Sequence, residues 1–193
     1  MTNRHVADQR SVFLVAGRDD ATIAAVVTFI RALGLRIVEW EQAVAHTGEP
    51  NPYIGDVVRA GMEMAAATLV LFTPDDLVRL RDDLLRDHDG PAERNVAGQA
   101  RPNVLYEAGF ADCLGRDRTI LVEVGPVKAF TDVSGRHVVR FDGSPMHRKA
   151  LVSRMESAGL KPDISGTDWL HVGDVAGAVA AAGVALIRSR QPE

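Results

Sequence analysis

The sequence predicts an α/β fold, with a central five-stranded parallel sheet and helices on both faces. Three observations predict it. Short, largely apolar runs recur at residues 12–16, 68–72 and 119–124, as expected of strands buried on both faces. The longer stretches between them open on capping residues and close on glycine, the punctuation of helices. Strand and helix signals alternate, and alternation joins parallel strands through crossover helices.

The elements follow in order. Residues 12–16 form the first strand, which Gly17-Arg18-Asp19-Asp20 breaks. Asp20 is placed to cap a helix over 21–33, and Gly34 sits where a C-terminal cap belongs. Residues 35–39 read as a second strand and 40–52 as a polar loop with Gly48, Pro50 and Pro52. A helix follows over 53–66, then the third strand over 68–72. Thr73-Pro74-Asp75-Asp76 opens a further helix to about residue 86, with Thr73 as cap, Pro74 at the first helical position and acids in the first turn. Residues 88–100, rich in Gly, Pro, Asn, Asp and Gln, are expected to be a mobile loop. A helix over 101–115 leads to the fourth strand at 119–124. After a loop over 125–136 comes the fifth strand, 137–141, then a helix over 145–158 ended by Gly159.

Composition narrows the function classes. At 193 residues the chain suits one domain, with 46% hydrophobic and 25% charged residues in the globular range. The predicted division is a polar N-terminal tail at 1–10, one α/β domain at 11–160 and a C-terminal extension at 161–193 with a short Ala/Gly-rich helix. A net charge of -4 and a pI near 5.9 argue against a general nucleic-acid binder. The single cysteine, Cys113, excludes an intrachain disulfide and fits a reducing, cytoplasmic setting. The apolar run 175–187 is too short to span a bilayer, which needs roughly 18–20 residues, so it reads as a packing helix and no membrane partner is expected. The six histidines show no metal-ligand spacing, and no metal is expected.

The helix over 101–115 carries the most informative residue. At about 100° per residue, Glu107 falls with Asn103, Phe110, Ala111 and Leu114, away from Asp112 and Arg116. Helical glutamates ordinarily lie on the solvated stripe. A carboxylate on a largely apolar stripe needs a partner or a task, because burying an unpaired charge is costly. The structural alternative is a local hydrogen bond to Asn103, with Arg101 or Arg18 neutralising the charge. In parallel α/β sheets ligands bind outside the carboxyl ends of the strands. Gly17 lets the backbone approach a ligand there, and Arg18 is suited to a phosphate. Taken alone, that loop also reads as an ordinary strand-to-helix turn. Trp40, at the end of the second strand, is suited either to stacking on a base or to rim packing.

Four blocks in order carry a resemblance: Val12-Phe13-Leu14-Val15-Ala16-Gly17-Arg18-Asp19; Thr73-Pro74-Asp75-Asp76; Arg101-Pro102-Asn103-Val104-Leu105-Tyr106-Glu107-Ala108-Gly109; and Leu114-Gly115-Arg116-Asp117-Arg118. Asp132-Val133-Ser134-Gly135 also fits. Together, over residues 11–160, they resemble the TIR-like nucleotide-binding domains of bacterial anti-phage effectors of the CBASS and Pycsar type. The resemblance implies a flavodoxin-like TIR fold that hydrolyses NAD at the nicotinamide–ribose bond, with NAD as substrate and no cofactor. It implies Glu107 as the catalytic glutamate and Gly17, Arg18, Asp19, Trp40, Asp75 and Asn103 as substrate-binding residues. It also implies activation by TIR–TIR self-assembly and antiviral defence through NAD depletion. Such effectors usually fuse the domain to a cyclic-nucleotide-sensing module. The thirty or so residues after Leu160 are too few for one, so a larger protein or a separate partner is expected to supply it. Two alternatives share the sheet: a non-catalytic adaptor or nucleotide-signal-binding module, and a nucleoside 2-deoxyribosyltransferase-like enzyme.

Overall fold

The computed structural model describes residues 8–128 and 135–189. Five strands, β1 (Ser11–Val15), β2 (Arg36–Ile37), β3 (Ala67–Phe72), β6 (Thr119–Glu123) and β7 (Val139–Arg140), form one sheet in the order β2-β1-β3-β6-β7. Every pairing in it is parallel. The α/β class, the five parallel strands and the flavodoxin-like order expected from sequence are all present. The three long strands are mostly apolar and almost wholly buried because both faces are covered.

Two apolar layers flank the sheet. On one face α1 (Asp20–Ala32) and α6 (Pro145–Ser157) pack through Phe29, Ile30, Leu151 and Met155. On the other, α3 (Ile54–Met64) and α5 (Pro102–Gly115) pack through Val58, Met62, Val104, Ala108 and Ala111. The segment after α6 joins the first layer through Leu160, Trp169 and Val175, the last at the start of α7 (Val175–Ser189). Buried Arg148 secures it. Its guanidinium donates to the carbonyls of Gly143 (2.6 Å), Trp169 (3.0 Å) and Gly173 (3.0 Å), and lies over the rings of Phe29 and Phe141.

Three local expectations are corrected. Residues 40–52 are not a loop throughout, since Trp40–Thr47 form α2. Its N-cap is Glu39, whose N–H is bonded by the Gln42 side chain (2.9 Å), and Gly48 closes it in the left-handed region. A glutamate cap gives a weaker start signal than Ser, Thr, Asp or Asn. Pro74 does not open a helix to residue 86: the chain forms β4 (Asp76–Val78) and a short 3-10 turn at Asp82–Leu84. Residues 88–100 contain a four-residue helix, α4 (Pro91–Arg94), and β5 (Ala97–Gln99), which pairs antiparallel with β4. Long-range strand pairing has overridden local helix propensity here.

Candidate functional site at the carboxyl edge of the sheet

Successive connections run outward in opposite directions from β1 and β3, so the loops after these strands lie side by side at a topological switch point. In open α/β sheets that crevice is where ligands bind. The structure brings both sequence-predicted loops to it. The Arg18 N–H donates to Asp75 Oδ2 at 2.6 Å, joining the β1 loop to the β3 loop. Gly17 makes room for this bond, because a Cβ at residue 17 would overlap the Asp75 carboxylate. The other Asp75 oxygen, Oδ1, is buried and has no hydrogen-bond partner among the described residues.

Asp19 has a structural task. Its carboxylate accepts from the Thr22 N–H (3.1 Å) and the Thr22 hydroxyl (2.6 Å), capping α1. Asp19, not Asp20, is therefore the N-cap. Arg18 is exposed, and among the described residues its guanidinium makes no ion pair. Trp40, the first residue of α2, is 45% exposed beyond the end of β2.

Topology brings α5 to the same edge. It follows the β4–β5 excursion from the carboxyl end of β3 and must return to the amino end to start parallel β6. Its first turn therefore starts at the carboxyl edge, and Ala100 and Val104 share an apolar cluster with Val15 and Phe72. Glu107 lies in the second turn, ~8 Å along the axis from the helix start. The buried stripe runs through Val104, Ala108 and Ala111, with Phe110 and Leu114 partly buried beside it. Glu107 is half-buried on its flank, while Asn103 is exposed.

Burial pushes the Glu107 carboxyl above the usual carboxylate range. Neither local partner weighed from the sequence is in place. Among the described residues, Asn103, Arg101 and Arg18 form no hydrogen bond or ion pair with Glu107. Glu123, at the end of β6, is also pushed up by burial, but Arg140 at 3.9 Å opposes the shift.

A match to a known family settles the class of the fold. The family model for the TIR domain of the CAP12/Pycsar effector protein matches residues 11–143. The chain belongs to this family. It is also 27% identical over 155 residues to the uncharacterized protein YuaY of Escherichia coli strain K12. That alignment covers 80% of this chain and 47% of YuaY, so the chain spans about half the length of that relative. No helix among the described residues is long and apolar enough to cross a membrane. Of the Asp132-Val133-Ser134-Gly135 block, residues 132–134 lie outside the described residues.

A cleft of about 640 Å³ lies elsewhere on this TIR domain, beside β7. Glu123, Lys128, Arg136 and Arg140 line it, and none of the sequence-predicted site residues do. Three of its cations already have carboxylate partners: Lys128 pairs with Glu93 at 2.7 Å, Arg136 with Asp112, and Arg140 with Glu123, while Arg154 lines the rim and is exposed. The cleft therefore reads as a structural ion-pair region. The switch point instead holds a close-approach glycine, a guanidinium with no ion pair among the described residues, and the start of the helix that carries Glu107.

Sequence reasoning did not anticipate the joining role of Asp75. Thr73-Pro74-Asp75-Asp76 matches a helix start, and only the spatial pairing with residues 17 and 18 separates the two readings. The nearest signal in the chain was Gly17, a glycine directly after an apolar strand.

Proposed function

We propose that this TIR domain is an NAD glycohydrolase, with Glu107 as the catalytic carboxylate. The observation that carries the proposal is the half-buried Glu107, without a partner among the described residues, on the helix whose start reaches the β1/β3 switch point. Membership of an effector TIR family supports it. The bond broken is that between the ribose C1′ and the nicotinamide ring nitrogen. Its electron pair moves onto the positively charged ring, so nicotinamide leaves neutral and needs no general acid. The ribose is left oxocarbenium-like, as in glycoside hydrolysis. A carboxylate in a partly desolvated setting stabilises that developing positive charge. Water then forms the C1′–O bond and releases a proton, giving ADP-ribose; closure on an internal nucleophile gives a cyclic isomer instead.

In this reading Arg18 takes the diphosphate, Gly17 allows close backbone approach, and Trp40 and Asn103 take the rings and hydroxyls of the substrate. Asp19 and Asp75 serve through the loops they hold. Self-assembly of TIR domains activates the reaction, and NAD depletion in an infected cell is the defensive outcome. A sensing module or partner responsive to a cyclic nucleotide supplies the trigger.

The test is nicotinamide release from NAD by concentrated wild-type protein, by the same protein under forced clustering, and by folded Glu107→Ala. The expected result is release by wild type, rising with assembly, and a fall of about 100-fold or more in the variant. Undiminished turnover by folded Glu107→Ala removes the catalytic assignment. No release from clustered wild type removes the activity.

A further inference from the structure

We infer that Asp75 is a positioning residue that latches the β1 loop so that Arg18 meets the substrate's diphosphate. The inference rests on the NAD reading above and adds to it the group that sets substrate affinity. Three observations meet at this point. Asp75 Oδ2 accepts the Arg18 N–H at 2.6 Å across 57 residues of sequence. Gly17 sits where any Cβ would overlap that carboxylate. The Arg18 carbonyl accepts from the Asp20 N–H at 2.9 Å. The Arg18 backbone is thus held on both sides, which fixes the direction of its Cα–Cβ bond, while the guanidinium has no ion pair among the described residues. A pinned backbone with a free cationic head is a preorganised anion contact, in which ordering cost is met before binding.

The latch is built to be sensitive. The Asp75 carboxylate is bonded to Arg18 through Oδ2, and among the described residues Oδ1 has no donor to hold the side chain if that contact is lost. The neighbouring acid cannot substitute, because both Asp19 oxygens are engaged with Thr22. Removing the carboxylate at 75 and adding a methyl at 17 are chemically opposite changes, yet both break the same bond.

The experiment uses the full chain in four forms: wild type, Asp75→Ala, Gly17→Ala and the double variant. The first readout is exchange of the Arg18 amide hydrogen in unliganded protein. It is expected to quicken at least tenfold in each variant, while amides of β3 keep their wild-type rates. The second is NAD affinity, measured in a Glu107→Gln background so that substrate is not consumed. Each single variant is expected to weaken binding about tenfold, and the double variant no more than either alone. In an Arg18→Gln background Asp75→Ala is expected to have no further effect. Nicotinamide riboside, which lacks the diphosphate, is expected to bind wild type and Asp75→Ala alike.

Unchanged Arg18 exchange in Asp75→Ala overturns the latch whatever the protein binds. Quickened exchange with unchanged NAD affinity overturns its role in binding and leaves the glycohydrolase reading standing. Equal weakening for nicotinamide riboside makes Asp75 merely structural. Failure of wild type itself to bind or cleave NAD is the separate failure of the proposed function.

Discussion

Arg148→Met tests what holds the C-terminal segment to the TIR sheet. Arg148 is 2% exposed and has no carboxylate partner among the described residues. Three backbone carbonyls, those of Gly143, Trp169 and Gly173, take its N–H groups instead. Hydrogen bonds from a charged donor are worth about 1.5–3 kcal/mol each. Against them stands the desolvation of the cation, several kcal/mol, which methionine does not incur. Methionine also keeps much of the stem's contact with Phe29 and Phe141. What it cannot restore is the pairing of three carbonyls, at about 1–3 kcal/mol for each left unsatisfied. The balance is a loss of about 3–5 kcal/mol, as when one member of a buried charged network is removed. In a domain of this size each kcal/mol moves Tm by about 2–4 °C, so Tm should fall by about 10 °C. Urea unfolding followed by fluorescence of the buried Trp169 measures the loss, and limited proteolysis between residues 160 and 175 should quicken. A loss under about 1 kcal/mol, with proteolysis unchanged, would refute this account of the guanidinium as the tie between α6 and the segment after it.

Three further outcomes are expected. Glu107→Gln should raise stability at pH 8 and leave it unchanged at pH 4, because burial raises the folded-state pKa, so the cost of the charged form is fully present only above that pKa; thermal unfolding across that range checks it. Burial works against the Asp142 carboxylate, but hydrogen bonds from Ser144 and His147 outweigh it and hold its pKa at about 2. Asp142→Asn should therefore lower stability at pH 6, with the difference fading as pH falls toward 2, where the wild-type carboxylate also protonates. Gly173→Ala places a Cβ against the Ala25 backbone carbonyl at a φ of 74°, and denaturant unfolding should show a loss of at least about 2 kcal/mol.

The sheet was legible because its strands are buried on both faces, and continuous apolar runs such as 68–72 admit few other readings. The helix over 101–115 was legible to within a residue, since Pro102 sits at its first position. The region 74–100 was not. Leu77, Val78 and Leu80 follow a helical start signal, yet β4 pairs with β5 about twenty residues away, and such pairing leaves no local trace. Glu107 was legible as misplaced for a solvated helix face. The absence of a partner among the described residues was not, because Asn103 lies one turn away on the same helix. Asp75 is the clearest case of information that exists only in space. Its sequence neighbours spell a cap, while its partner lies 57 residues earlier.

The acids around the carboxyl edge sort by what the fold already asks of them. Asp19 caps α1, Asp75 holds the β1 loop, and Glu123 faces Arg140. Each has a task that would remain in a protein with no ligand. Glu107 has none among the described residues, and burial makes its charged form less favourable. A neutral residue there would relieve that cost without breaking any described contact. An adaptor that only presents a surface has no use for such a carboxylate. A domain that must stabilise positive charge on a sugar does, because an anion already held by a protein cation would have little field left to offer. The expected gain in stability on Glu107→Gln and the expected loss of nicotinamide release thus have one cause, and a variant that showed the first without the second would place the chemistry elsewhere.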